Sequence, residues 1–175
     1  MRRSGTGALV LGGMMAAMAA ALQLAPLYLP GVGLLLAMLS SLPMAVQAYR
    51  HPPSALLSYG AAVAVILSLS AQEAAIFAFT SGPFGLAVGY CHRPGQPGWL
   101  PWLGAALPLS AGLLCLAYLV GLPPLGPELG ALSVPAQLGL YLGFALLYSL
   151  LWGWAFGALL RRLQRWAVSP PPARL

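Results

Sequence analysis

Apolar residues form six long runs along the chain, and short polar or proline-rich breaks separate them. A helix needs roughly 20 apolar residues to cross a bilayer, and the runs are close to that length. They predict helices over residues 5–29, 31–49, 54–71, 73–90, 99–122 and 135–160. We therefore expect an all-α bundle of about six transmembrane helices that forms one domain over residues 1–168. A short proline-rich tail over residues 169–175 follows it.

The low content of charged residues agrees with a membrane location. Of the 175 residues, 60% are hydrophobic and 6% are charged, whereas a soluble domain carries about 25% charged residues. Lipid must therefore solvate most of the surface. We expect a multi-pass protein of a bacterial inner membrane, in which lipid is the first partner of the chain.

The positions of the charges predict the orientation, since cytoplasmic helix flanks are enriched in basic residues. With a cytoplasmic amino terminus, all eight basic residues fall on the cytoplasmic side, and Glu73 and Glu128 fall outside. The basic residues are Arg2, Arg3, Arg50, Arg93, Arg161, Arg162, Arg165 and Arg174. We expect both termini to be cytoplasmic. A cleaved signal peptide ending at Ala19 is the alternative for the first run, but the run continues to Leu29, which is long enough to span.

Several kinds of chemistry are excluded by missing residue types. The chain has no lysine, so it has no P-loop, and it has no HExxH sequence. His51 and His92 lie in separate loops, and Cys91 and Cys115 are isolated from each other. The arginines are scattered at the ends of apolar runs and do not form a nucleic-acid surface. We therefore expect no enzyme activity, no catalytic residues, no metal site, no cofactor and no nucleic-acid partner.

The first predicted helix carries small residues at four-residue spacing, which lets another helix approach closely in lipid. One such stripe comprises Ala8, Gly12, Ala16 and Ala20, and a second comprises Gly13, Ala17, Ala21 and Ala25. The first stripe has two interpretations, internal packing or a docking surface for a separate membrane subunit. We predict that it is exposed in the isolated protein and docks a partner.

Polar residues within apolar runs indicate a binding pocket, because they are costly in lipid and tend to face the bundle interior. Glu73 begins the fourth run, and Thr80 and Ser81 lie halfway along it, beside Pro83. Gln137 and Tyr141 begin the sixth run from the same external side. We predict that Glu73, Thr80, Ser81, Gln137 and Tyr141 form a substrate site for a small polar or cationic ligand.

Plainer interpretations of the same residues stay open. Pro83 lacks a backbone N–H, so it frees a carbonyl near Phe79, and the neighbouring hydroxyls can bond to such carbonyls. Glu73 lies three residues after Ser70, which is the spacing of a helix capping box. Tyrosine also favours the membrane boundary for reasons unrelated to ligands.

Four stretches carry a resemblance to a known family: residues 21–26 (ALQLAP), 42–45 (LPMA), 70–77 (SAQEAAIF) and 80–86 (TSGPFGL). With the size and hydropathy of the chain, they resemble the substrate-binding S components of energy-coupling factor transporters and a related group of uncharacterised six-helix bacterial proteins. The resemblance implies capture of a small nutrient from outside the cell. It also implies docking on a transmembrane coupling subunit driven by two cytoplasmic ATPases, through Ala8, Gly12, Ala16 and Ala20. No residue set diagnostic of a particular vitamin or metal ion is present.

Two other classes of function remain as alternatives. One is a non-transporting membrane scaffold or assembly partner in cell-envelope or division machinery, for which only packing surfaces matter. The other is a membrane-embedded lipid enzyme, which is the weakest because a catalytic cluster of His, Asp or Cys is lacking. An external pocket of more than about 300 Å³ lined by polar residues favours transport, whereas a solid bundle without a pocket favours a scaffold.

Overall fold

Every regular element in the described part of the chain is helical. The computed structural model describes residues 3–126, 128 and 132–168, with side chains over residues 6–126, 128 and 132–164. The α-helices are α1 (Arg3–Tyr28), α2 (Val32–Met38), α3 (Ser41–Arg50), α4 (Pro52–Leu67), α5 (Ala71–Ile76), α6 (Gly82–Cys91), α7 (Leu100–Leu103), α8 (Ala106–Cys115) and α9 (Val134–Val168). Two π-helical turns, Phe77–Ser81 and Leu116–Val120, join α5 to α6 and extend α8. The predicted tail over residues 169–175 lies outside the described residues.

Five helical segments are long and apolar enough to cross a membrane. They are Thr6–Tyr28, Val32–Arg50, Ala71–Cys91, Leu100–Val120 and Val134–Gln164. The prediction of an all-α fold is therefore confirmed for the described residues, and these five segments are compatible with a multi-pass membrane protein. Helix α4 is apolar but has only 16 residues, and at about 1.5 Å per residue it is shorter than the bilayer core. A sixth crossing stays a prediction for this helix.

Small side chains bring α1 close to α4. A Cβ at Gly12 would lie 2.6 Å from the Ser58 hydroxyl oxygen, and Ala16 and Ala62 are both buried. We use the name alanine cluster for the core group that contains them. Its members are Ala16, Ala19, Ala20, Leu24, Met44, Ala62, Ile66, Ala74 and Phe77.

The predicted exposure of the docking stripe on α1 is therefore wrong. Gly12, Ala16 and Ala20 are buried and Ala8 is half-buried, because their small surfaces are used for internal packing in the bundle. In the second stripe, Gly13, Ala17 and Ala21 are exposed, whereas Ala25 is buried. Both stripes have the same spacing, and the positions of the neighbouring helices distinguish them.

Helix α6 approaches α3 through two glycines four residues apart. A Cβ at Gly85 would overlap the Ser41 carbonyl oxygen, and one at Gly89 would overlap the Ala45 carbonyl oxygen. Glycine is therefore required at both positions for this close approach of the backbones. Spacing of this kind is typical of tightly packed helices in lipid, where packing contacts drive association.

Helix α9 packs on α6 and α8 through large side chains. We use the name aromatic cluster for this second core group, which comprises Ala45, Phe84, Val88, Ala105, Leu109, Leu113, Tyr141, Ala145 and Phe156. His92 adds a polar link between α6 and α9, because its two ring nitrogens lie 2.8 Å from the Val88 carbonyl oxygen and 3.1 Å from that of Gly153.

Candidate functional site

A cavity of about 280 Å³ lies beside the aromatic cluster, whose members Phe84, Leu109 and Leu113 line it. It is at the end of the bundle where α1 ends and α5 begins, which we call the Glu73 end. The opposite end, where α3 ends at Arg50 and α6 is followed by Arg93, is the arginine end. The cavity is lined by Gln23, Pro26, Leu34, Ala37, Met38, Glu73, Ile76, Thr80, Ser81, Phe84, Leu109, Leu113, Leu116, Pro124, Leu125, Phe144 and Tyr148.

Three side chains from three helical segments form a hydrogen-bonded chain at the cavity. The Ser40 hydroxyl donates to Gln23 Oε1 at 2.8 Å, and Gln23 Nε2 donates to Glu73 Oε2 at 2.8 Å. Ser40 and Gln23 are almost completely buried. Buried polar groups require partners, and each of these two groups satisfies the next. The chain therefore holds the Glu73 carboxylate in a defined position at the cavity.

Glu73 also begins α5, as the sequence predicted. The Ser70 hydroxyl accepts a hydrogen bond from the Glu73 backbone N–H at 3.2 Å, which caps the helix. The backbone N–H of Ser70 is bonded to the Ile66 carbonyl oxygen instead of the Glu73 side chain. The reciprocal half of a capping box is thus absent here, and the carboxylate is directed to Gln23. Capping alone does not account for this side chain.

The π-helical turn at Phe77–Ser81 supplies the two predicted hydroxyls. Pro83 follows it within the first turn of α6, and a proline there cannot donate to the preceding turn. Thr80 Oγ1 donates to the Ile76 carbonyl oxygen at 2.6 Å, and the Tyr59 hydroxyl donates to that of Ala78 at 2.8 Å. The Thr80 hydroxyl therefore bonds to a backbone carbonyl of the preceding turn, and both Thr80 and Ser81 line the cavity.

The Phe79 carbonyl, which the sequence predicted to be freed, faces α8. A Cβ at Gly112 would overlap this oxygen, so glycine is required where α8 passes the π-helical turn. Leu109 and Leu113, on either side of Gly112, line the cavity. Turns of this kind occur frequently at functional sites, and here the turn brings α8 against the cavity wall.

The structure divides the predicted substrate site into two groups. Glu73, Thr80 and Ser81 line the cavity, whereas Gln137 and Tyr141 are not among its described lining residues. Gln137 Oε1 accepts from the Tyr118 hydroxyl at 2.8 Å, and its Nε2 donates to the Leu132 carbonyl oxygen at 2.9 Å. Tyr141 is only 2% exposed and belongs to the aromatic cluster.

Aromatic residues farther along α9 take the place of Gln137 and Tyr141. Phe144 and Tyr148 line the cavity, and their rings stack with centroids 5.5 Å apart. Tyr148 lies two helical turns after Tyr141, so the two share a face of α9.

Ser40 is a residue of the site that the sequence analysis does not predict. The signal that could have identified it is its hydroxyl in the middle of the second apolar run.

Glu73 is the single carboxylate among the described lining residues of the cavity. Within the described parts of the chain, no group of three His, Cys, Asp or Glu side chains could hold a metal ion. Comparison of the chain with protein-family models, with curated proteins and with solved structures gives no match. Function must therefore be argued from the cavity itself.

Proposed function

We propose that this chain captures a small molecule from the external side of the membrane, as the substrate-binding subunit of an uptake transporter of the energy-coupling factor type. The observation that carries the proposal is the cavity of about 280 Å³, with Glu73 held by Gln23 at its wall. Ligand sites combine mostly apolar walls with a few placed polar groups, in volumes of about 300–1,000 Å³. This cavity has that composition, and its volume is just below that range. The role is binding, without a catalytic step.

The proposed orientation has six crossings and both termini in the cytoplasm. Arg50 and Arg93 lie at one end of the bundle, and Glu73 lies at the other. This separation supports the orientation, since basic residues favour the cytoplasmic side. The cavity then opens outward. The short α4 is accommodated by local thinning of the bilayer, which costs fractions of a kcal/mol per Å of mismatch. Reporter fusions at Leu175 should read as cytoplasmic, and an external reading overturns the orientation.

A coupling subunit would contact the face of α1 that the bundle leaves open. Gly13, Ala17 and Ala21 are exposed there, and a Cβ at Gly13 would meet no atom within 4 Å. Met14 and Met18 flank these residues and are also exposed; methionine adapts well to a packing partner. This face supports docking in place of the buried stripe that the sequence favoured.

Copurification of a small molecule tests the proposed capture. The wild-type protein should retain an occupant detectable by native mass spectrometry, and Ala37→Trp should lose it because Ala37 lines the cavity. Ala64→Trp is the matched control, since Ala64 is exposed on α4. An occupant that survives Ala37→Trp, or the absence of any occupant in all three proteins, contradicts the proposal.

The exposed face of α1 also favours the second candidate, a membrane scaffold for cell-envelope or division machinery. A scaffold needs this face and has no use for the cavity. Under this alternative, Gly13→Leu removes function in cells while Ala37→Trp has no effect. Under the proposed capture role, both substitutions impair function.

A further inference from the structure

We propose that the ligand of this cavity is an organic cation, an ammonium group on a compact apolar body, and that the ammonium pairs with Glu73. This inference rests on the proposed function, since it requires that the cavity binds a small molecule. It narrows the ligand from a small molecule of any polarity to one chemical class.

The charge of the cavity wall favours a cationic ligand. Glu73 lines the cavity, and no arginine or histidine is among the described lining residues. Its Oε2 atom accepts from Gln23, while no described residue donates a side-chain hydrogen bond to Oε1. A carboxylate in apolar surroundings is costly unless it is paired. A ligand ammonium supplies the missing partner, whereas an anionic ligand would meet a like charge.

A chain of hydrogen bonds behind Glu73 positions its carboxyl group at the cavity. Because Ser40 donates to Gln23 Oε1, the amide of Gln23 presents its N–H to Glu73. This N–H needs an acceptor, and Glu73 Oε2 provides it. The arrangement therefore holds the Glu73 side chain at the cavity wall and leaves Oε1 for a ligand ammonium.

Few polar groups of the cavity wall remain available to hydrogen-bond a ligand. Thr80 Oγ1 already donates to the Ile76 carbonyl oxygen, and the Gln23 amide is engaged with Ser40 and Glu73. Ser81 supplies one further hydroxyl at the cavity wall. A polyhydroxylated ligand would lose its hydrogen bonds to water and find few replacements here, which costs binding. The body of the ligand must therefore be largely apolar.

Aromatic rings provide the wall for that apolar body. Phe84 and Tyr148 have ring centroids 5.1 Å apart, and Phe144 stacks on Tyr148. All three line the same cavity as Glu73. A carboxylate on one wall and aromatic faces on another are the two features that recognise organic ammonium ions. The volume of about 280 Å³ restricts the ligand to a small one.

Three probes of similar shape and different charge test the inference. Protonated 2-phenylethylamine, neutral 2-phenylethanol and anionic phenylacetate each carry a phenyl ring on a two-carbon chain. Binding to the full-length protein in nanodiscs is measured by calorimetry, with empty nanodiscs as the reference for partitioning into lipid. The amine should bind at least about tenfold more tightly than the alcohol, since a charged hydrogen bond contributes more than a neutral one. Phenylacetate should bind most weakly.

Two glutamine variants assign the effect to one carboxylate. Glu73→Gln should weaken amine binding about tenfold or more and leave alcohol binding unchanged. Glu128→Gln is the matched control, because Glu128 is exposed and is not among the described lining residues. It should change neither affinity. Folding of both variants is checked by thermal unfolding, and Glu73→Ala provides a second variant should Glu73→Gln be unstable.

The other outcomes of these measurements also decide for or against the inference. Equal binding of the amine and the alcohol, or amine binding unaffected by Glu73→Gln, shows that the site does not select a cation. The proposed small-molecule site then stands without the charge preference. If no probe binds, the charge of a copurified occupant decides: a cationic occupant lost from Glu73→Gln supports the inference, and a neutral or anionic one overturns it. Failure of all probes without any occupant overturns the proposed function as well.

Discussion

The alanine cluster and the aromatic cluster differ in the size of the side chains that fill them, and of the two only the aromatic cluster is represented among the described lining residues of the cavity. In the alanine cluster, α1 and α4 approach through Ala16, Ala19 and Ala62. In the aromatic cluster, Phe156 and Tyr141 of α9 pack with residues of α6 and α8. Small faces let helices approach closely, whereas large side chains fill the space between helices.

The cavity lies on the side of the larger side chains. In lipid, helices associate through packing and hydrogen bonds, because the lipid tails are as apolar as the side chains. Large rings fill space only where they interdigitate. Phe84, Phe144 and Tyr148 line the cavity on this side, and Gln23 and Glu73 complete its wall.

Truncation should damage the aromatic cluster most. Phe156 is only 1% exposed and contacts the rings of Tyr49 and His92 edge-on. Phe156→Ala should lower the free energy of unfolding by about 3 kcal/mol, the lower end for buried Phe→Ala, because transfer of apolar surface contributes less when the unfolded helices stay in lipid. Unfolding in nanodiscs by steric trapping measures the loss. Trp154→Ala, at an exposed position of the same helix, is the control, and equal losses contradict the comparison.

Enlargement should damage the alanine cluster. Ala62 is completely buried between α1 and α4, so Ala62→Leu should cost about 1–3 kcal/mol through overpacking. Ala61→Leu, one residue earlier and exposed, should leave the stability nearly unchanged in the same assay. If Ala62→Leu is tolerated as well as its neighbour, the α1–α4 contact is looser than the structure shows.

Loss of the Ser40 hydroxyl should have the smallest effect on stability and a clear effect on the site. Hydrogen bonds between membrane helices contribute on average about 0.6 kcal/mol, so Ser40→Ala should change unfolding little. It removes the donor that orients Gln23, and binding of 2-phenylethylamine should weaken several-fold. Ser68→Ala is the control, since Ser68 is exposed and bonds only to the nearby Val65 carbonyl oxygen. A drop in stability without a change in binding assigns Ser40 to packing.

The positions of the helices could be predicted from local sequence. The first run predicts a helix over residues 5–29 and the helix is Arg3–Tyr28, whereas the sixth predicts a helix over residues 135–160 and the helix continues past Arg161 to Val168. Apolar length indicates where these helices lie, because backbone groups in lipid must be bonded within the helix, but charged residues do not end α9. The capping of α5 by Ser70 could also be predicted from the local sequence.

The choice of which helix face points inward came only from the tertiary structure. On α1, the stripes that contain Gly12 and Gly13 have the same spacing, yet Gly12 is buried and Gly13 is exposed. On α9, Tyr148 reaches the cavity while Tyr141 is enclosed in the aromatic cluster. A soluble helix shows its inner face by apolar periodicity. In lipid, apolar residues surround the whole helix, so its neighbours decide which residues form the core and which form the site.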